Sequence, residues 1–342
     1  MLNSGKPLPL LHGQYTQPRV ARAGTLRQNG VEAAGSILPL TTMRPAPSLI
    51  AFSTLSGVGF GALAWAGLEA LAGAPVQRLI ILVATVLAVI GLLSSVTHLG
   101  KPLRAWRALT QWRSSWLSRE AWAALASLGC AALLFLEPTL WPRYVGAILL
   151  LTSVYTVVCT AMIYHSLPPV PAWTIPSVPA IFVTLSAYSG AYLILLLDAR
   201  RGYDWPVFCA LMAIIPATQK LRYWSVLDAQ KLPSASAALG LSDESQIEAF
   251  EAPHTQRNYL LHEMVFKVGR KHRMRLRRLS VLLAFVIAPV AALMLLIAPN
   301  WGAVLTSVGM FAVVLGLAVE RWLFFAEARH MVERYYAPSD GD

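Results

Sequence analysis

Residues 79–97 read LIILVATVLAVIGLLSSVT, an uncharged run bounded by Arg78 on one side and by His98-Leu99-Gly100-Lys101-Pro102 on the other. At about 1.5 Å of rise per residue, such a run is long enough to cross a hydrocarbon core of ~30 Å as a helix. The apolar residues are contiguous rather than alternating, so helices and not barrel strands are the spanning form. Working outward, comparable runs recur near 48–71, 120–136, 144–164, 177–197, 205–222, 279–298 and 302–325. The sequence therefore predicts an all-α integral membrane protein, a bundle of about eight transmembrane helices. Composition agrees. Of 342 residues, 56% are hydrophobic and 13% charged, and the mean hydropathy is +0.55. Soluble domains carry about 25% charged residues, and half that leaves too little to cover a water-facing surface.

Charge sets the expected orientation. Of the 28 Lys and Arg residues, 23 fall in the N-terminal tail, the segment after the second span, the end of the sixth span with the segment after it, and the C-terminal tail. Eight crossings put all of these on one side. Arg78, Arg143, Arg200 and Arg201 fall on the other, and Arg321 lies within the last span. The crowded side is expected to be cytoplasmic, with both termini inside. The net charge of +11 then reads as a topology signal with some attraction to anionic lipid. No recognition motif accompanies it, so nucleic acid is not an expected partner. The expected location is a bacterial inner membrane.

Residues 1–47 are polar and unpatterned and lack the apolar core of a signal peptide. They read as a disordered cytoplasmic tail, or as an over-long start with Met43 as the initiator. Residues 48–336 form the membrane domain, with a long basic cytoplasmic loop at 223–278, and 337–342 a short tail. Cys130, Cys159 and Cys209 lie inside spans without CxxC spacing. They read as buried thiols, too few and too scattered to hold an iron–sulfur cluster. The seven histidines are His12, His98, His165, His254, His262, His272 and His330. None is near mid-span, where paired axial ligands of a b haem would sit, so no haem is expected.

Titratable groups gather at the crowded side. Gly100 and Pro102 stop the second span and leave His98 at its last turn. A neutral imidazole there could accept a proton from a quinol hydroxyl, or could simply cap the helix. The third span opens Leu117-Ser118-Arg119-Glu120. Ser118 is the expected N-cap, and Glu120 would then be favoured by the helix dipole in the first turn. Alternatively, its carboxylate relays a second quinol proton. Glu320 and Arg321 either serve a function or snorkel to the interface. Lys220, Arg222, Tyr223 and Trp224 read as interfacial anchors. Gly57, Gly59 and Gly61 signal close helix packing. Prolines at 168, 169, 171 and 176 stiffen the loop holding Trp173, which lines a quinone entrance or sits among headgroups.

His98-Leu99-Gly100-Lys101-Pro102-Leu103-Arg104-Ala105, followed by Leu117-Ser118-Arg119-Glu120, resembles the membrane-anchor subunit of dimethyl sulfoxide reductase. Val170-Pro171-Ala172-Trp173 and Arg321-Trp322-Leu323-Phe324-Phe325 extend the likeness. The resemblance implies a haem-free anchor without catalytic residues or metal ligands of its own. It implies exchange of electrons between menaquinol or ubiquinol and a four-cluster iron–sulfur subunit, itself joined to a molybdopterin subunit. It assigns menaquinol binding to His98 and Glu120, with Arg104, Trp173 and Arg321 as further candidates. The long basic loop looks closer to anchors of cytoplasm-facing sulfite-oxidising complexes, where electrons run from sulfite to quinone. A secondary transporter is the alternative of another class. Transporters place polar groups at the midplane on broken helices, whereas here they cluster at one membrane face. A structural scaffold would not explain why His98 and Glu120 share that face.

Overall fold

The computed structural model describes residues 47–97, 102–198, 202, 204–230 and 267–328, and every regular element among them is helical. In order these are α1 (Pro47–Leu71), α2 (Arg78–Val96), a 3-10 helix (Pro102–Gln111), α3 (Trp116–Leu136), α4 (Pro142–His165), α5 (Val178–Leu197), α6 (Asp204–Met212) and α7 (Ile214–Ala229). After the basic segment come α8 (Lys267–Leu282), a π-helical turn (Leu283–Ile287), α9 (Ala288–Met294), a 3-10 turn (Pro299–Trp301) and α10 (Gly302–Ala326). Seven segments are long and apolar enough to cross a membrane: α1 to α5, His272–Met294 and Pro299–Ala326. The chain is a multi-pass membrane protein. The tail 1–46, most of the 223–278 loop and the segment 337–342 lie outside the described residues.

The sixth expected span, 205–222, is not one long helix but falls on two shorter ones, α6 and α7, interrupted at Ala213. Pro216 accounts for the break. It has no N–H to offer the carbonyl of Met212 four residues back, and its ring crowds that carbonyl. Pro289 has the same effect in the seventh span, but there the helix widens instead of breaking. The Ala288 N–H skips to the Leu283 carbonyl, which strips Ala284 of its usual donor, and Pro289 cannot replace it. The Tyr188 hydroxyl, reaching across from α5, donates to that orphaned Ala284 carbonyl. A wide turn beside a proline is thus stabilised by a side chain from another helix, as the lack of water in a bilayer demands.

Small residues draw the helices together. α1 packs against α2, α4 and α5. A Cβ on Gly61 would overlap the Ser186 backbone of α5, and one on Gly190 would overlap Gly61 and Ala62. Gly67 and Gly146 approach so closely that a Cβ on either would lie 2.7 Å from the other's carbonyl oxygen. Lipid cannot supply a hydrophobic driving force between helices, so backbone approach of this kind takes its place. The reverse faces are bulky. On α2, Leu79, Leu82, Val86, Ile90 and Leu93 are exposed at helical spacing, while Ala84, Ala88 and Gly91 face the bundle. In water such a stripe would be a large apolar patch; here it meets acyl chains.

Candidate functional site

The site grows from the seam between α3 and α4. Helix α3 starts at Trp116, with Ser115 at the N-cap in extended conformation (φ −110°, ψ 125°). The cap expected at Ser118 is therefore displaced by three residues. Arg119 explains the earlier start. Its guanidinium lies 4.4 Å from the Trp116 ring and donates to the carbonyls of Trp112 and Arg113 at 3.0 and 2.6 Å, which folds the preceding turn onto the helix. Ser118 is buried inside the helix, and Glu120 lies beyond the first turn. The dipole reading of Glu120 is corrected accordingly, because dipole stabilisation fades past that turn.

Glu120 is 3% exposed and faces α4, where the Thr160 hydroxyl donates to Oε1. Among the described residues no cation pairs with it. Thr160 belongs to a buried polar stripe on α4, formed by Ser153, Thr156, Thr160 and Tyr164 at helical spacing. Ser153 shares a hydrogen bond of 2.6 Å with Ser127 of α3. On the outer side of this seam lies an open groove of about 500 Å³, walled by Trp112, Arg119, Trp122, Thr152 and Tyr155. Trp122 is fixed there by donating to the Leu109 carbonyl at 3.0 Å.

A second buried cluster lies at the same end of the bundle. Lys220 of α7 and Glu320 of α10 are each 1% exposed and paired at 2.5 Å. Arg321 is 3% exposed and stands 3.2 Å from the other Glu320 oxygen, with its guanidinium 3.7 Å from the Phe182 ring centre. Lys220 also sits 4.1 Å from the Tyr223 ring centre. These three residues do not snorkel or anchor at the interface, as their sequence positions suggested. One carboxylate between two cations, with aromatic faces beside them, replaces the hydration that burial removed. Nη1 of Arg321 has no hydrogen-bond partner among the described residues. Tyr164, one turn beyond Thr160 on α4, packs against Phe182, Phe324 and Phe325, the rings beside this cluster.

The proline-rich loop closes this end. Trp173 stacks on Phe324 at 5.8 Å and donates its indole N–H to the Phe324 carbonyl at 3.1 Å, while Tyr164 meets it edge-on at 5.4 Å. Tyr223 donates to the Ala172 carbonyl at 3.2 Å. Trp173 thus fastens the loop to α10 rather than resting among headgroups. Beyond it, Arg277 of α8 binds Asp228 of α7 at 2.6 and 3.0 Å and Glu327 at 2.7 Å. Those hydrogen bonds hold the Asp228 carboxyl below the usual carboxylate range.

Of the residues expected in the site, Glu120, Trp173 and Arg321 lie at one end of the bundle, and Tyr164 packs against Trp173 there. Arg104 is exposed on the 3-10 helix and stands apart. His98 lies outside the described residues. The reading of the sequence missed Thr160, Tyr164 and Tyr155, and missed Lys220 as the partner of Glu320. The polar stripe at 153, 156, 160 and 164 is the signal that would have found the α4 residues. Among the described residues no group of three His, Cys, Asp or Glu could hold a metal ion.

Comparison with known proteins adds a sequence relation to this geometry. A family model described as DMSO reductase anchor subunit (DmsC) matches residues 42–326. A sulfite dehydrogenase subunit from Allochromatium vinosum is 31% identical over 330 residues, spanning 86% of this chain and 99% of its own length.

Proposed function

The chain belongs to the DMSO reductase anchor subunit family, and from that premise we propose that it is the quinone-reactive membrane anchor of a molybdopterin oxidoreductase. In this reading it exchanges electrons between menaquinol or ubiquinol and an iron–sulfur subunit, at the end of the bundle that holds Glu120. The observation that carries the reading is a contrast between two buried acids. Glu320 is matched by Lys220 and Arg321, whereas among the described residues Glu120 has the Thr160 hydroxyl and no cation. A carboxyl outside any ion pair is available to exchange protons with a ligand.

A bound quinol supplies two electrons and two protons on oxidation, and the reverse transfer consumes them. The residues present fit such a ligand. The aromatic groove on the α3/α4 seam opens to the apolar exterior and suits a flat ring with a polyisoprenoid tail. Glu120 takes or returns one proton, oriented by Thr160. His98, the residue after Thr97, takes the other. Arg321 holds a buried spare donor that matches a quinone oxygen. Trp173 closes the loop over the cluster and excludes water from it.

The distribution of Lys and Arg supports both termini and the 223–278 loop in the cytoplasm of a bacterial cell. The iron–sulfur subunit would then dock on the cytoplasmic face. The relative from a sulfite dehydrogenase, matched over nearly its whole length, favours electrons running from sulfite into the quinone pool. The test is to purify the chain from native membranes and identify what accompanies it. An iron–sulfur subunit and a molybdopterin subunit should copurify, and sulfite should reduce an added quinone analogue. Isolation of the chain alone, with no redox partner under mild detergent, contradicts the anchor reading.

A further inference from the structure

Helices α7 and α8 do not close against each other on the outer surface. They leave an open groove of about 820 Å³ that the quinone site does not use. Its lining changes character along α8 and the π-helical turn that continues it. Arg275, Arg278, Leu282 and Val286 follow one another at spacings of three and four, all exposed. Leu221 of α7 forms the opposite apolar wall. The face therefore runs from two guanidinium groups into hydrocarbon within a few turns, with its charged end beside the interfacial Asp228 and its apolar end in the span.

The charges that face the groove leave a positive surplus at its mouth. Asp228 is taken by Arg277 at 2.6 Å, with Arg273 at 3.9 Å, and Glu327 of α10 is taken by Arg277 at 2.7 Å. Arg275 and Arg278 form no ion pair among the described residues. A guanidinium fork matches phosphate oxygens two at a time and is more weakly hydrated than an ammonium. A neutral quinone ring makes no demand for two such groups, and an acidic protein surface makes none for the apolar wall below them.

We propose that this groove is a binding site for an anionic glycerophospholipid. Its phosphate sits on Arg275 and Arg278, and one acyl chain lies along Leu221, Leu282 and Val286. Such a lipid would cover the gap between α7 and α8 and brace α8 where the basic segment enters the membrane.

The purified protein in detergent, titrated with phosphatidylglycerol or phosphatidylcholine and read by native mass spectrometry, tests this. Phosphatidylglycerol should be retained in preference to phosphatidylcholine. In the double variant Arg275→Gln/Arg278→Gln its affinity should fall about 25-fold, from about fivefold for each guanidinium near a headgroup. Both residues are exposed and form no ion pair among the described residues, so the fold should persist, which monodisperse elution would check. Val286→Trp, which fills the apolar end, should weaken retention without altering charge. Arg78→Gln, at the opposite end of the bundle, should leave it unchanged. Equal retention of the two lipids, an unaffected double variant, an equal loss in Arg78→Gln, or displacement of the lipid by a quinone analogue would each overturn the proposal.

Discussion

Replacing Glu320 with Gln should damage the bundle far more than replacing Lys220 with Met, although the two side chains form one ion pair. In the intact cluster one carboxylate serves two cations, Lys220 at 2.5 Å and Arg321 at 3.2 Å, and all three are at most 3% exposed. Removing the carboxylate leaves two like charges facing each other without compensation. Removing the ammonium leaves Glu320 and Arg321 as a matched pair. Breaking a buried pair so that a charge is stranded costs about 3–5 kcal/mol, and Glu320→Gln strands two. Lys220→Met forfeits a cation–π contact with Tyr223 at 4.1 Å, about 1–2 kcal/mol at a desolvated site. It also relieves the desolvation of the ammonium. Equilibrium unfolding in mixed micelles would measure both variants. Equal destabilisation, or a Glu320→Gln variant within about 1 kcal/mol of the parent, would refute the assignment of a shared buried carboxylate.

Tyr188→Phe should cost about 1–3 kcal/mol by the same measurement, because it leaves the Ala284 carbonyl without a donor beside Pro289. Gly61→Val should prevent accumulation of folded protein, read as loss of a monodisperse peak, since the side chain would overlap the Ser186 backbone of α5. Reporter fusions at Ser236 and Tyr336 should both read as cytoplasmic; a periplasmic result at both would place the docking face on the wrong side.

Most of the fold was legible because membrane helices announce themselves. Backbone polar groups in a bilayer are satisfied chiefly within their own helix, so each span shows as an uninterrupted apolar run such as 79–97. The sixth span was equally visible in hydropathy, but its division was written only in Pro216. Hydropathy does not register a missing N–H. Interrupted helices are also found in transporters, yet here the buried charges collect at one end instead of around the breaks. Within the site, Glu120 was found because a carboxyl is conspicuous in an apolar helix. Its partner Thr160 was not, since one threonine in a span usually bonds its own preceding turn, as Thr152 does with Ile148. Lys220 looked like an interfacial anchor because its partner, Glu320, lies a hundred residues away in sequence. Only the three-dimensional structure, which brings Lys220 of α7 to Glu320 of α10, reveals that pair. Ser118 looked like a cap because serine is a common cap residue, yet Ser115, three residues earlier, holds the extended cap conformation. The grip of Arg119 on the preceding turn decided between them.

The central claim is that quinone bound to this chain exchanges electrons with a redox partner while the buried Glu120 and His98 exchange its protons. It is tested most directly in the assembled complex by measuring quinone-linked turnover alongside electron exchange between the soluble subunits and an artificial dye. In Glu120→Gln the account predicts that quinone-linked turnover collapses while dye-linked activity and subunit retention stay at parental levels, with an equal or larger collapse in His98→Phe. Quinone-linked turnover at the parental rate in both variants would contradict it.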